Sequence, residues 1–424
     1  MFPPNSWRRK ALACALALAG GLAMAAPLAP QALTLPDAVQ RAVERSRQLA
    51  AQSHAGDAAR AMAVAAAQLP DPVLKAGIDN LPVSGAERYR IGADSMTMRR
   101  IGVMQELTSS DKRRWRAVRF EREAERSRAA ADALAADIQR DTAIAWLDRF
   151  YLERMAAVLA AQAAVARDEI AALEAAYRGG RASQAAWLDA QAAWLALQDR
   201  ASELGLQSRN AGIALERWTG LPAAIALAGT PDTAAIGIDA AALEALLEHH
   251  PQVALLTRQA ELAQAEAGLA RANRSSDWSV EVALQQRGPG YPGMVSFGLS
   301  VPLQWDRARR QERELGARLA AADQALAERD EALRAHVAEV RAQLAEWQAG
   351  RERIARYEKE VLPLAAQRTA AQLAAYRGGK AALADVLAAR RAESEMQLQA
   401  LQLQREHARA WARLNYIQPV KEHP

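Results

Sequence analysis

The chain is poor in the residues that build disulfide frameworks and aromatic cores. It has one cysteine in 424 residues, and aromatic side chains make up 5% of it. A single cysteine excludes an internal disulfide framework and a thiolate metal site. The six histidines show no ligand spacing, since His249 and His250 adjoin Pro251 and the others are isolated. No nucleophile and base form a recognisable motif, so we predict no catalytic site, no cofactor and no metal site.

Alanine dominates what the chain does contain. Roughly a quarter of the residues are Ala, and Leu, Arg, Glu and Gln fill much of the rest, a composition typical of long helices in close contact. Apolar residues reach 51%. The composition therefore predicts a mainly α protein and argues against an ordinary mixed α/β enzyme.

The first 25 residues have the pattern of a secretory signal peptide. Arg8, Arg9 and Lys10 precede an apolar run at 11–19, and Ala23-Met24-Ala25 provides small residues for cleavage. The run is shorter than the ~20 residues of a spanning helix. Three of the five excess positive charges, and the lone cysteine, would leave with this peptide. We therefore predict export and do not expect nucleic acid as a partner.

The remaining chain is internally duplicated. Ala-Ala-Tyr-Arg-Gly-Gly-Arg-Ala at 175–182 recurs as Ala-Ala-Tyr-Arg-Gly-Gly-Lys-Ala at 374–381, 199 residues later. We predict a first repeat at 26–219, a linker at 220–238 and a second repeat at 239–424.

Each repeat is predicted to contain a helix, two strands, a very long helix, a Gly-Gly turn and a return helix. In the first repeat, a helix runs from Leu35 to about Gln68, and strands cover 73–80 and 96–107. No Pro or Gly interrupts 111–178, which predicts a rod of ~100 Å. Its seven-residue apolar spacing predicts contact with more than one neighbouring helix.

The second repeat follows the same plan with clearer strands. Apolar and polar residues alternate over 278–285 and 294–301, with Gly-Pro and Pro-Gly turns between. The long helix of this repeat, 306–376, contains Gly350 and Pro363, which predict a bend or a division into two helices.

Four strands of this length suit an outer membrane but cannot close a barrel alone, because the smallest membrane barrels have about eight. We expect three chains to supply twelve strands, with two chains and eight strands as the alternative. A soluble sheet packed on the helices is the remaining reading.

The order of elements, their duplication, the Tyr-Arg-Gly-Gly-[Arg/Lys] turns and the signal peptide resemble the outer-membrane efflux proteins of the TolC type. The resemblance covers the whole mature chain. It implies a homotrimer with a twelve-stranded barrel in outer-membrane lipid and a helical barrel reaching across the periplasm. It also implies two further partners, a periplasmic adaptor (membrane fusion protein) and an inner-membrane transporter of the RND type.

The resemblance also assigns roles to the turns between long helices. In such proteins these turns form the periplasmic tip and meet the adaptor, and an acidic residue narrows the tunnel nearby. The constriction residue carried over is Asp385, whereas Ala381 stands where the family can have an arginine of the closed-state latch. The implied adaptor contacts are Tyr177, Gly179, Gly180, Arg181, Ser183, Tyr376, Gly378, Gly379 and Lys380.

The segment 96–106, Met-Thr-Met-Arg-Arg-Ile-Gly-Val-Met-Gln-Glu, looks like the second strand of the heavy-metal branch, the cobalt-zinc-cadmium or copper-silver channels. Heavy-metal cations are accordingly the expected cargo. Export of drugs or other organic solutes, or type I secretion, is the first alternative. A periplasmic coiled-coil structural or adaptor protein is an alternative of another class.

Overall fold

A computed structural model describes residues 32–236 and 250–418. The predicted signal peptide at 1–25, positions 237 and 238 of the predicted linker, His249 and His423 lie outside these residues. Within them, the protein is mainly helical with one four-stranded antiparallel sheet, as predicted. None of the described helices has an apolar stretch of the length that a bilayer crossing requires.

The described elements follow the predicted order in both halves. The first half contains α1 (Leu35–Arg45), α2 (Arg47–Ala66), β1 (Val73–Asp79), β2 (Met98–Leu107), α3 (Ser110–Arg178) and α4 (Gln184–Thr219). The second half contains α5 (Pro251–Ala272), β3 (Trp278–Gln286), β4 (Met294–Ser300), α6 (Gln311–Arg356), a π-helical turn (Tyr357–Val361), α7 (Leu362–Arg377) and α8 (Leu383–Asn415).

The predicted first helix, Leu35 to about Gln68, is wrong in one respect, because it is two helices. The chain leaves helical geometry at Ser46, which has φ −66° and ψ 110°. The Ser46 hydroxyl accepts a hydrogen bond from the Leu49 backbone N–H at 3.2 Å. A serine that satisfies a free N–H in this way starts a new helix, so α2 begins at Arg47.

The long helix of the first half is confirmed as one uninterrupted rod of 69 residues. It packs against α2, α4, α5 and α8, which agrees with the predicted contact with several neighbours. In the second half the helix continues through Gly350 and changes only at the π-turn before Pro363. A Cβ on Gly350 would lie 3.0 Å from Cδ2 of His407, so this glycine allows α6 and α8 to approach closely.

The sheet joins the two halves directly. Its strand order is β1-β2-β3-β4, and every neighbouring pair is antiparallel. The central pair, β2 with β3, matches Arg99 to Gln286 at one end and Leu107 to Trp278 at the other. Two predicted hairpins thus form one continuous sheet, and the loops at 80–97 and 287–293 lie at its end away from the helices.

A buried belt of tryptophans holds the start of the first half and the segment between the halves. Trp146 Nε1 donates to the Leu33 carbonyl at 3.0 Å, and Trp347 Nε1 donates to the Thr233 carbonyl at 3.2 Å. Trp411 Nε1 donates to the Ala235 carbonyl at 2.8 Å. Indole N–H groups thus find partners inside the main apolar cluster, where an unpaired donor would be costly.

Candidate membrane sheet and helix tips

One face of the sheet is apolar and exposed. Its cross-strand rows are Leu74, Val103, Val282 and Phe297, then Ala76, Ile101, Leu284 and Val295. Phe297 is 81% exposed, and Leu74 is 68% exposed. A contiguous apolar face of this kind marks a contact with a membrane or another protein. The alternation of the strands therefore leaves an apolar side that no other part of residues 32–236 and 250–418 covers.

The opposite face carries charge and small residues. Glu281 accepts from Lys75 Nζ at 2.8 Å and also pairs with Arg100. Arg100 lies 4.0 Å from the Asp79 carboxylate. Each of these four charges thus has an oppositely charged neighbour on a surface that the apolar face does not share.

The two outer strands of this sheet each have one neighbour. In the described residues β1 pairs only with β2, and β4 pairs only with β3. Their outer N–H and C=O groups are therefore available to another strand. Such an edge cannot remain open in lipid, because no water is present to satisfy it.

The helix turns at the far end of the rods have the same backbone in both halves. Gly180 has φ +67° and Gly379 has φ +70°, in the left-handed region that favours glycine. The Arg181 N–H donates to the Ala176 carbonyl and the Lys380 N–H donates to the Ala375 carbonyl, both at 2.8 Å. The sequence-predicted turns therefore exist and reverse the chain tightly.

The side chains at these turns are exposed. Tyr177 and Tyr376 are each 41% exposed. Tyr177 also stacks on Trp187 of its own helical hairpin, with ring centroids 6.3 Å apart and an interplanar angle of 4°. Gly179, Arg181, Gly378 and Lys380 are also exposed.

Ser183 and Asp385 have helix-capping roles that sequence comparison did not assign to them. The Ser183 hydroxyl accepts from the Ala186 N–H at 3.1 Å and starts α4. The Asp385 carboxylate accepts from the Ala382 N–H at 3.0 Å at the start of α8. Asp385 is exposed, so capping leaves it accessible. Its role as the tunnel constriction stays a prediction.

The three methionines of the metal-like segment are spread along the sheet. Met96 precedes β2, Met98 pairs with Asp79 and Met104 pairs with Val73 and Glu281. Across residues 32–236 and 250–418, no three His, Cys, Asp or Glu side chains are grouped so as to hold a metal ion.

Two side-chain pairs, each with one buried titratable member, join residues that lie far apart in the sequence. No sequence motif predicts either pair. The rings of His250 and His336 lie 4.4 Å apart, although the residues are far apart in the chain. Burial, then His336 and Arg140, lower the pKa of His250 to about 4. Glu169 of α3, itself buried, accepts from Arg391 of α8 at 2.7 Å. Only the folded contacts between helices identify these residues.

Neither a scan of protein-family models nor a search of curated proteins finds a match to the chain. Solved structures do match. The chain is similar to the outer membrane protein VceC of Vibrio cholerae, with TM-score 0.73 and 18% identity over 90% of this chain and 95% of that one. It is also similar to the CmeC outer membrane channel of Campylobacter jejuni, with TM-score 0.76 and 13% identity over 92% and 87%.

A third match is CusC, described with conformational changes that accompany folding and transmembrane channel formation. Its TM-score is 0.75, at 15% identity over 90% of this chain and 91% of that one. The chain therefore has the fold of outer-membrane channels along nearly its whole length.

Proposed function

From this shared fold we propose that the chain is the outer-membrane channel of a tripartite efflux pump. In this proposal it belongs to the TolC-type family and is not an enzyme. Three copies form a tunnel with a twelve-stranded barrel, which a periplasmic adaptor connects to an inner-membrane transporter of the RND type. The observation that carries the proposal is a sheet with one exposed apolar face and two edges that no described strand pairs with.

The sheet is incomplete by itself in two ways. Its apolar face, led by Phe297 and Leu299, lacks a covering layer among the described residues, and lipid supplies one. Its edge strands β1 and β4 have no outer partner in the part of the chain that the structure describes, and equivalent edges of further copies supply one. Both needs are met when β4 of one copy pairs with β1 of the next around a closed barrel. A sheet in solution has neither lipid over its apolar face nor strands of further copies at its edges.

The adaptor contact is proposed at the exposed turns. Arg181 and Lys380 occupy equivalent positions and extend from glycine-stabilised reversals at one end of the rods. Their charge can bond partner carboxylates or carbonyls. Tyr177, Gly179, Gly180, Ser183, Tyr376, Gly378 and Gly379 complete the proposed contact, and Asp385 is the proposed constriction.

Residue-specific crosslinking tests the adaptor contact, because the only cysteine is Cys14 of the predicted signal peptide. We expect Arg181→Cys and Lys380→Cys to crosslink the adaptor in cells. Gln198→Cys serves as the matched control, because Gln198 is exposed and lies further along α4 from the turn. We expect it not to crosslink to the adaptor. Crosslinking at Gln198 with none at either tip would reject the proposed contact.

Heavy-metal cations are the proposed cargo, on the likeness of segment 96–106 alone. The test is a deletion strain challenged with copper, silver, zinc, cobalt and a drug panel. We expect loss of metal resistance that the cloned gene restores. Unchanged survival with every metal, together with lost drug resistance, would overturn the metal cargo and leave the channel in place.

A further inference from the structure

The apolar face of the sheet continues past the end of β4 toward the helices. Alternate positions from 295 to 305 carry Val, Phe, Leu, Val, Leu and Trp, and all of them are exposed. The last, Trp305, is 86% exposed. A tilted strand needs ~9–11 residues to cross the hydrocarbon of a membrane, which is the length of this segment. With the apolar face in lipid, Trp305 therefore lies where the hydrocarbon ends on the helix side.

A second tryptophan lies at the same end of the sheet. Trp278 begins β3, pairs with Leu107 of β2 and is 53% exposed. It alternates with Val280 and Val282, so it belongs to the apolar face. Tryptophan is typical of membrane–water interfaces, because its ring is apolar and its N–H is polar. Both tryptophans thus mark the helix-side boundary of the apolar face.

Basic residues follow this boundary directly. The chain makes one turn after Trp305, in which the N–H groups of Arg309 and Arg310 both donate to the Asp306 carbonyl, at 3.2 and 3.1 Å. Both arginines and Asp306 are exposed. Within residues 32–236 and 250–418, neither guanidinium has an acidic partner or accepts a role in a hydrogen bond to the protein. We name Trp305, Arg309 and Arg310 the rim site.

The first half uses its corresponding arginines differently. Each half has two adjacent arginines near the start of its long helix, and in the first half these are Arg113 and Arg114. Arg113 Nη1 donates to the Ala67 carbonyl at 3.2 Å, and Arg114 lies 3.3 Å from the Asp111 carboxylate. Contacts inside the chain thus occupy the first pair, whereas the rim arginines are available to an external anion.

We propose that the rim site binds the headgroup of an anionic phospholipid in the membrane leaflet on the helix side. This inference rests on the proposed channel function, which puts the apolar face in lipid. Guanidinium groups bind phosphate oxygens through paired N–H donors, and Trp305 packs where the acyl chains meet the headgroups. Continuity with the apolar face favours a lipid over a soluble phosphate, because the acyl chains then cover that face. A trimer has three such sites.

Native mass spectrometry of the purified trimer tests this, with phosphatidylglycerol and phosphatidylcholine of equal acyl chains added in turn. Both lipids carry phosphate, but only phosphatidylglycerol has a net negative charge. We expect the wild-type trimer to prefer phosphatidylglycerol, and Arg309→Gln with Arg310→Gln to reduce that preference by about twenty-five-fold, or about fivefold per arginine. Arg353→Gln with Arg356→Gln is the matched control, because both residues are exposed near the far end of α6 and remove the same charge. The control is expected to keep the wild-type preference.

A competition arm distinguishes a lipid from a soluble phosphate. Glycerol phosphate has the anionic group of the lipid without the acyl chains. We expect an equal concentration of glycerol phosphate to leave phosphatidylglycerol bound, because it lacks the contact with the apolar face. Displacement of the lipid under these conditions would overturn the lipid as the ligand.

The outcomes separate the rim site from the channel. A wild-type trimer without a preference between the two lipids, or with the same preference as the double arginine variant, would overturn the rim site and leave the channel in place. Absence of a trimer from the wild-type preparation would overturn the proposed channel itself. Should the double variant fail to assemble, the single variants Arg309→Gln and Arg310→Gln decide the question, and an unchanged preference in both would reject the rim site.

Discussion

The long helices of the two halves begin at one sheet and end in turns of the same conformation, but they differ between these ends. In the first half, α3 runs for 69 residues without a break. In the second half, α6 has 46 residues, a π-turn has five, and α7 has 16. Pro363 lies just after the π-turn, and proline lacks the N–H that a regular helix needs and clashes with the preceding turn. The wider π-turn absorbs it, so the rod continues to the tip.

The two halves share tryptophan hydrogen bonds and helix caps despite this difference between their long helices. Trp146 and Trp347 each donate an indole N–H to a carbonyl, at Leu33 and at Thr233. Ser46 and His250 each cap the helix that precedes a hairpin. The duplicated plan is therefore conserved in its ends and belt and altered in the middle of one rod.

The variant with the largest expected effect removes a negative charge that links α3 of the first half to α8 of the second half. Asp148 of α3 accepts hydrogen bonds from two arginines of α8, Arg405 at 2.8 Å and Arg409 at 2.7 Å. We expect Asp148→Ala to lower the free energy of unfolding by about 3 kcal/mol, because two partly buried arginines lose their partner. Guanidinium unfolding in detergent measures it. An unchanged midpoint would mean that the link contributes nothing.

The next variant is expected to make the long helix of the second half as regular as α3 of the first half. We expect Pro363→Ala to convert the π-turn to regular helix and to raise the free energy of unfolding, by less than the ~3 kcal/mol that proline costs inside an ordinary helix. A structure of the variant and amide exchange over 357–361 would show the change. Leu364→Ala, at an exposed neighbouring position, is the control. A π-turn that persists in Pro363→Ala would contradict the stated cause.

Glycines in the paired strands give a sharper comparison. A Cβ on Gly102 meets Ala283 Cβ at 2.6 Å, whereas a Cβ on Gly298 meets Glu281 Cβ at an ordinary 3.5 Å. We expect Gly102→Ala to cost about 1–3 kcal/mol through overpacking and Gly298→Ala to be tolerated. Thermal dissociation of the assembled protein distinguishes them. Equal behaviour of both variants would refute the difference in packing.

The last expected effect concerns pH and is absent at neutral pH. Burial, with His336 and Arg140 nearby, lowers the pKa of His250 to about 4 from the ordinary 6.5. The unfolded chain therefore binds the proton first, and stability present above pH 6.5 is lost as the pH falls toward 4. We expect His250→Ser, which installs the capping residue of the first half, to reduce this loss. A wild-type stability that is flat between pH 6.5 and 4 would contradict the assignment.

Local sequence signals were enough to predict most of the architecture. Freedom from Pro and Gly over 111–178 predicted α3, alternation predicted four strands, and the Tyr-Arg-Gly-Gly repeat predicted both turns. These features depend on neighbouring residues, so a linear pattern contains them. Adding the duplication gave the order of elements in the second half.

Features of two kinds were missed, local ones and ones that depend on partners distant in the chain. The helix break at Ser46 is local, but helical residues on both sides hid it. Pro363 was expected to bend or divide its helix, and only the π-helical form of that division was not foreseen. The ion pairs of Glu281 need the register of β1, β2 and β3 together. Asp385 and Ser183 carry capping hydrogen bonds that motif comparison does not reveal.

Native mass spectrometry shows whether three copies of the chain close one barrel in the outer membrane. Protein extracted with mild detergent from separated outer membranes is predicted to contain three chains that dissociate together on heating. A single chain recovered from the soluble periplasmic fraction would contradict a trimeric barrel in the outer membrane.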